Sequence, residues 1–137
     1  MNNRQVLDVI PSSPVMGQVL HGQKVGRRLG FPTANLSLAE ADGPPFGVYA
    51  VLARVGGHCY AASASWGRRP HFDNGRPLLE VHLLDFEGDL YGCDLEVEFV
   101  ARLRGEQIFS STDALIEQIA IDVRTTRSIL SNIGAFM

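Results

Sequence analysis

With 137 residues, 45% of them hydrophobic and 20% charged, the chain has the size and composition of one folded domain around a single core. A formal net charge of -3 excludes a broad basic footprint for nucleic acid or an anionic membrane, so any anionic ligand has to be gripped locally. Two cysteines without CxxC spacing suggest neither a disulfide framework nor a zinc ribbon. Without an apolar run suited to a signal peptide or a membrane span, the default compartment is the cytoplasm.

Glycine and proline cluster around residues 26–32, 43–47 and 67–77 and mark loops. Runs with strand character begin at Val15 (VMGQVLHG), Phe46 (FGVYAVLARV), His58 (HCYAASAS), Leu78 or Leu79 (LLEVHLLDF) and Leu95 (LEVEFVARLR). In the last run Leu95, Val97, Phe99, Ala101 and Leu103 alternate with Glu96, Glu98, Val100, Arg102 and Arg104, the period of a strand with one buried face. Gly56 and Gly57 can take the positive φ of a two-residue hairpin turn, which predicts an antiparallel pair, and EGDLYGCD offers glycines for a further turn. Short strands without intervening helices predict an antiparallel barrel or sandwich.

The period then changes. Leu115, Ile119 and Val123 recur every four residues beside Ile116 and Ala120, with Glu117, Asp122 and Arg124 toward the other side. This predicts a helix over about 112–131, capped by Ser111 or Thr112, with Asp113 at the positive end of the helix dipole.

Three places could carry chemistry. Gly17, Gly22, Gly26 and Gly30 bracket GQKVGRRLG, a loop that can bring backbone N–H groups with Lys24, Arg27 and Arg28 to a phosphate, although it is no Walker A motif and also reads as an ordinary solvated hairpin loop. Thr33 and Asn35 follow Pro32 in GFPTANL, and on an extended chain residues two apart face one side. They are neutral oxygen donors of the kind Mg²⁺ takes, though Thr and Asn commonly bond the turn backbone instead. Glu80 opens a strand at a loop, where a carboxylate can accept a substrate proton or be one more solvated strand residue. The four histidines show no zinc spacing, Ser63 and Ser65 lack a nucleophile elbow, and no strand has basic-aromatic interleaving for RNA.

Across Met16 to Arg127 the runs GQVLHG, GRRLGFPTANL, PPFGVYAV, GRRPHF, LEVHLLDFEGDLYG and LRGEQIFSSTDALIEQIAIDV resemble bacterial riboflavin kinase. The resemblance implies an all-β, six-stranded antiparallel Greek-key β-barrel with a long C-terminal α-helix: one domain over 1–137, with an N-terminal extension (1–13), the barrel (14–110) and the helix (111–131). It also implies transfer of the ATP γ-phosphoryl group to the riboflavin 5′-hydroxyl, giving FMN and ADP with Mg²⁺ as cofactor. By position, Glu80 is implied to be the general base, and Thr33 and Asn35 the metal and phosphate ligands. Gly22, Lys24, Gly26, Arg27 and Gly30 fall in the phosphate-covering loop, and Arg104, Glu106 and Phe109 in the segment that closes over flavin.

Two positions depart from the pattern: His71 replaces a threonine in GRRPHF, and Ser65 stands where asparagine is common. In the bacterial family this module commonly follows an FMN adenylyltransferase domain, whose HxGH-type motif is absent from this sequence, so the chain is expected to be the kinase module alone. The partners expected are therefore riboflavin, FMN, ATP and ADP, with an FMN adenylyltransferase domain or protein a further one, and neither nucleic acid nor membrane. The alternatives are a flavin-binding regulator without turnover and an accessory domain of an adenylyltransferase.

Overall fold

The computed structural model describes residues 8–9, 13–20, 33–69 and 75–132. Among these, alternating apolar residues form β1 (Asp8–Val9), β2 (Val15–Gln18), β3 (Ala34–Ser37), β4 (Gly47–Val55), β5 (His58–Arg68), β6 (Pro77–Leu83) and β7 (Asp94–Arg104). A 3-10 turn follows β3 at Glu40–Asp42, and one helix, α1 (Thr112–Asn132), ends the described chain. All strand pairs are antiparallel.

From β7 the neighbours run β4, β5, β6, β3. The free edge of β7 is shared, with β2 opposite Asp94 to Val97 and β1 opposite Ala101 and Arg102. The two short strands thus fill one position, and six positions make the barrel. The Leu20 N–H donates to the Asn35 carbonyl at 2.8 Å, bridging the end of β2 to β3 and nearly closing the ring. β4, β5 and β6 form a meander; β7 returns beside β4 and β3 beside β6, the Greek-key pattern. The segment read as an extension therefore contributes β1 to the sheet.

Gly56 and Gly57 take φ values of 57° and 80°, so the β4–β5 hairpin turns where expected. The interior is filled by Leu36, Tyr49, Val51, Trp66, Leu79, Val81, Leu95, Val97 and Phe99, with alanines of β4 and β5 between them. On the opposite face Ala50, Leu52, Ala61, Leu84, Val100 and Ala101 pack under Ile129 and Leu130 of α1. The Ser111 hydroxyl accepts the Ala114 N–H at 3.1 Å and caps the helix.

Two expectations need correction. The β7 alternation holds through Phe99 and then breaks: pairing with β4 skips Val100 and later Leu103, so Val100 and Ala101 both face outward. Two bulged residues account for the break. Asp122 is buried rather than turned to solvent, because Arg104 of β7 meets it there.

Candidate active site

One row of residues crosses the barrel on the face turned away from the interior. Asn35 of β3 stands opposite Glu80 of β6, Glu80 opposite Ser65 of β5, Ser65 opposite Val48 of β4, and Val48 opposite Arg104 of β7. Ala34, Leu36, Leu79, Val81, Ala64 and Trp66 fill the interior, which by period two turns Asn35, Glu80 and Ser65 outward. Opposed Cβ atoms lie about 5 Å apart. Strand pairing thus gathers an amide, a carboxylate and a hydroxyl that are distant in sequence.

Asn35 is 5% exposed, and its Oδ1 has no hydrogen-bond partner among the described residues. Leaving such an acceptor buried and unsatisfied costs about 1–3 kcal/mol. Thr33, exposed, lies just ahead of β3, where an extended chain brings residues two apart to one side. These neutral oxygens fit a hard divalent cation, and the orphaned Asn35 oxygen is the feature that makes the fit.

Glu80 is half-buried and held by Arg69, a residue the sequence reading did not single out. The Arg69 Nε and Nη2 lie 3.0 and 2.9 Å from Glu80 Oε1. Nη2 also donates to Ser65 Oγ at 2.7 Å, and Nη1 donates to Glu106 Oε1 at 2.8 Å and to the Arg68 carbonyl at 3.1 Å. Burial works against the Arg69 charge, but the Glu80 and Glu106 carboxylates outweigh it and hold the guanidinium above its usual range. Both contacts to Glu80 among the described residues fall on Oε1 rather than Oε2.

At the far end of the row, Arg104 holds Asp122 through Nε at 3.1 Å and Nη2 at 2.9 Å. Its Nη1 donates to Gln107 Oε1 at 3.2 Å and to the Gly105 carbonyl at 3.1 Å. The guanidinium carbon stands 5.7 Å from the centre of the Phe109 ring. Gln118 donates to Asp122 Oδ1 at 3.1 Å. Arg104 therefore ties the 105–109 loop to α1.

Of the expected site residues, Asn35 faces Glu80, Arg69 joins Glu80 to Glu106, and Thr33 lies just ahead of β3, while Arg104 and Phe109 stack beside α1. Gly22, Lys24, Gly26, Arg27 and Gly30 lie outside the described residues, as does His71. Ser65 keeps a polar contact at its departing position by accepting from Arg69. The paired arginines of GRRPHF were the available signal for Arg69, but nothing local distinguishes Arg69 from Arg68, which instead bonds Glu40 and the Gly75 carbonyl.

A nearly closed Greek-key barrel with this oxygen-rich row on its outer face defines a β-barrel domain with one candidate site. The riboflavin kinase (flavokinase) family model matches residues 12–130. A bifunctional riboflavin kinase/FMN adenylyltransferase of Haemophilus influenzae is 43% identical over 119 residues, spanning 86% of this chain and 39% of the relative. The riboflavin kinase of Trypanosoma brucei superposes with a TM-score of 0.62 at 26% identity, over 86% of this chain and 79% of that one. A Streptococcus pneumoniae structure described as a macrolide-efflux protein superposes with a TM-score of 0.76 at 38% identity, over 83% of this chain and 38% of that one. No helix among the described residues is long and apolar enough to cross a membrane.

The chain belongs to the riboflavin kinase family. It spans about two fifths of the length of the curated relatives it matches.

Proposed function

We propose that the chain phosphorylates riboflavin: the 5′-hydroxyl oxygen attacks the γ-phosphorus of ATP, the bond from that phosphorus to the bridging oxygen breaks, and FMN and ADP result. The observation that carries this reading is Glu80 set opposite an Asn35 whose buried oxygen lacks a partner among the described residues. Family membership supplies the substrates.

Glu80 Oε2 takes the hydroxyl proton as attack proceeds, within hydrogen-bond reach of the strand row. Thr33 and Asn35 would hold Mg²⁺, which when bound supplies charge neutralisation of the phosphates. Phosphoryl transfer gains most from positioning and charge stabilisation, and residues on paired strands are held more rigidly than residues on a loop. Glu106 and Phe109 flank the row on the flavin side. The reading places the chain in the cytoplasm with ATP, and makes an FMN adenylyltransferase, the second activity in its relatives' names, the consumer of its product.

Incubation with riboflavin, ATP and MgCl₂, followed by chromatography with fluorescence detection, tests the proposal. FMN formation by the chain alone is the expected result. Riboflavin binding without conversion would replace the kinase with a flavin-binding regulator, and conversion only on adding an adenylyltransferase would make it an accessory domain.

A further inference from the structure

Arg69 bridges two carboxylates of the site and has no part in the chemistry described so far. We propose that Arg69 is a positioning residue that couples the 105–109 loop to Glu80, so that the placement of the loop sets the orientation of the proton-accepting carboxylate. The inference rests on the kinase reading above.

Three features carry it. First, the guanidinium is a rigid planar fork, and here its donors are divided between two carboxylates: Nε and Nη2 on Glu80, Nη1 on Glu106. A shift of Glu106 turns the fork, and the fork turns Glu80. Ser65 steadies Nη2 from β5, and Nη1, which also donates to the Arg68 carbonyl, is the nitrogen that meets the loop.

Second, β5 makes room for this contact. A Cβ at Gly67 would overlap both carboxylate oxygens of Glu106, so a side chain there would push the flexible end of Glu106 off the place from which it meets Arg69. Third, Arg104 holds the same loop through Gln107, Gly105 and Phe109, so the loop is anchored at both ends of the row. Between the anchors Ile108 is wholly exposed, where a ligand seated against the loop would displace it.

The magnitudes point to coupling rather than stability. The side chains of Arg69, Glu80 and Glu106 are 27%, 35% and 38% exposed, and ion pairs so open to water contribute little to stability. Removing Arg69 should therefore barely move the melting temperature. A misplaced reacting group, by contrast, costs up to about 100-fold in rate.

The test compares kcat and KM for riboflavin and MgATP in wild type, Arg69→Gln, Glu80→Gln, their double variant, and Gly67→Ala. Arg69→Gln is expected to lower kcat by about 10-fold or more, with both KM values within about 2-fold of wild type. In the Glu80→Gln background the same change is expected to be silent, because Arg69 acts through Glu80. Gly67→Ala keeps every charged residue but dislodges the flexible end of Glu106, and is expected to lower kcat in the same direction. An equal loss from Arg69→Gln in both backgrounds would overturn the proposal, as would an unchanged kcat or a rise confined to the KM for MgATP, which would mark Arg69 as a phosphate ligand. If wild type forms no FMN the kinase reading fails and the positioning role falls with it; if wild type turns over and Arg69→Gln does too, only the positioning role falls.

Discussion

Asn35 and Glu80 face each other across the β3–β6 ladder, one almost wholly buried with an oxygen unpartnered among the described residues, the other half-exposed with one carboxylate oxygen clamped by Arg69. The two groups proposed to hold the metal and to accept the proton are thereby set side by side with no intervening loop.

Replacing Glu80 isolates the proton transfer. Glu80→Gln keeps shape but cannot accept a proton, and turnover is expected to fall by about 10²- to 10⁴-fold. Riboflavin affinity, read by quenching of flavin fluorescence, should stay near wild type. Unchanged turnover would remove Glu80 from the mechanism.

Thr33→Ala and Asn35→Ala separate metal-nucleotide use from flavin binding. Each is expected to weaken MgATP use by about 10-fold or more while leaving riboflavin titration unchanged. The thermal stabilisation of wild type by MgADP should shrink in both, since a ligand stabilises only as far as it binds the native state. Identical MgADP shifts in wild type and variants would refute the assignment.

Asp122 is the partner that lets Arg104 lie against the helix. Its side chain is 7% exposed and that of Arg104 20%, so Asp122→Ala strands a charge that can only partly reach water. A loss of about 2–3 kcal/mol is expected, below the ~3–5 kcal/mol of a fully enclosed pair. The midpoint of urea denaturation measures it, and a shift under about 0.5 kcal/mol would show that the pair is dispensable.

Burial, with the charge of Arg127 added, pushes the His82 imidazole below its ordinary value. The unfolded chain then binds a proton that the native chain does not, so His82 leaves stability intact above about pH 6.5 and lowers it as pH falls below that value. Arg127 itself is paired with the exposed Asp85 through both carboxylate oxygens, which keeps its charge in place. Urea midpoints at pH 7.5 and pH 5.5 are expected to differ less in His82→Gln than in wild type; equal differences would refute the effect.

Much of the scaffold could be seen from local patterns. The glycine pair, the alternation of β7 up to Phe99 and the Ser111 cap are decided within a few residues of one another, so periodicity found them. β3 escaped that reading because ANLS is only four residues long and two of them are polar. The bulges at Val100 and Leu103 arise from pairing with β4, which no single strand encodes. Asp122 was misplaced for a similar reason: a helix pattern assigns a carboxylate to water unless the arginine that meets it is known.

The site divided the same way. Thr33, Asn35 and Glu80 were candidates that stayed chemically ambiguous one by one, and the resemblance of the whole chain gave them their roles. Arg69 and Ser65 needed the register, because their relation to Glu80 exists only once β5 and β6 are paired.

The row from Asn35 to Arg104 also makes the chemistry depend on the strands' reading frame. Deleting one residue from the first half of β6 would carry Glu80 into the interior and bring Leu79 or Val81 to the surface, a change the core would reject before the site could form. The same apolar alternation that selects the fold therefore proofreads the placement of its reactive groups. Errors of alignment that would abolish chemistry are removed at the level of folding.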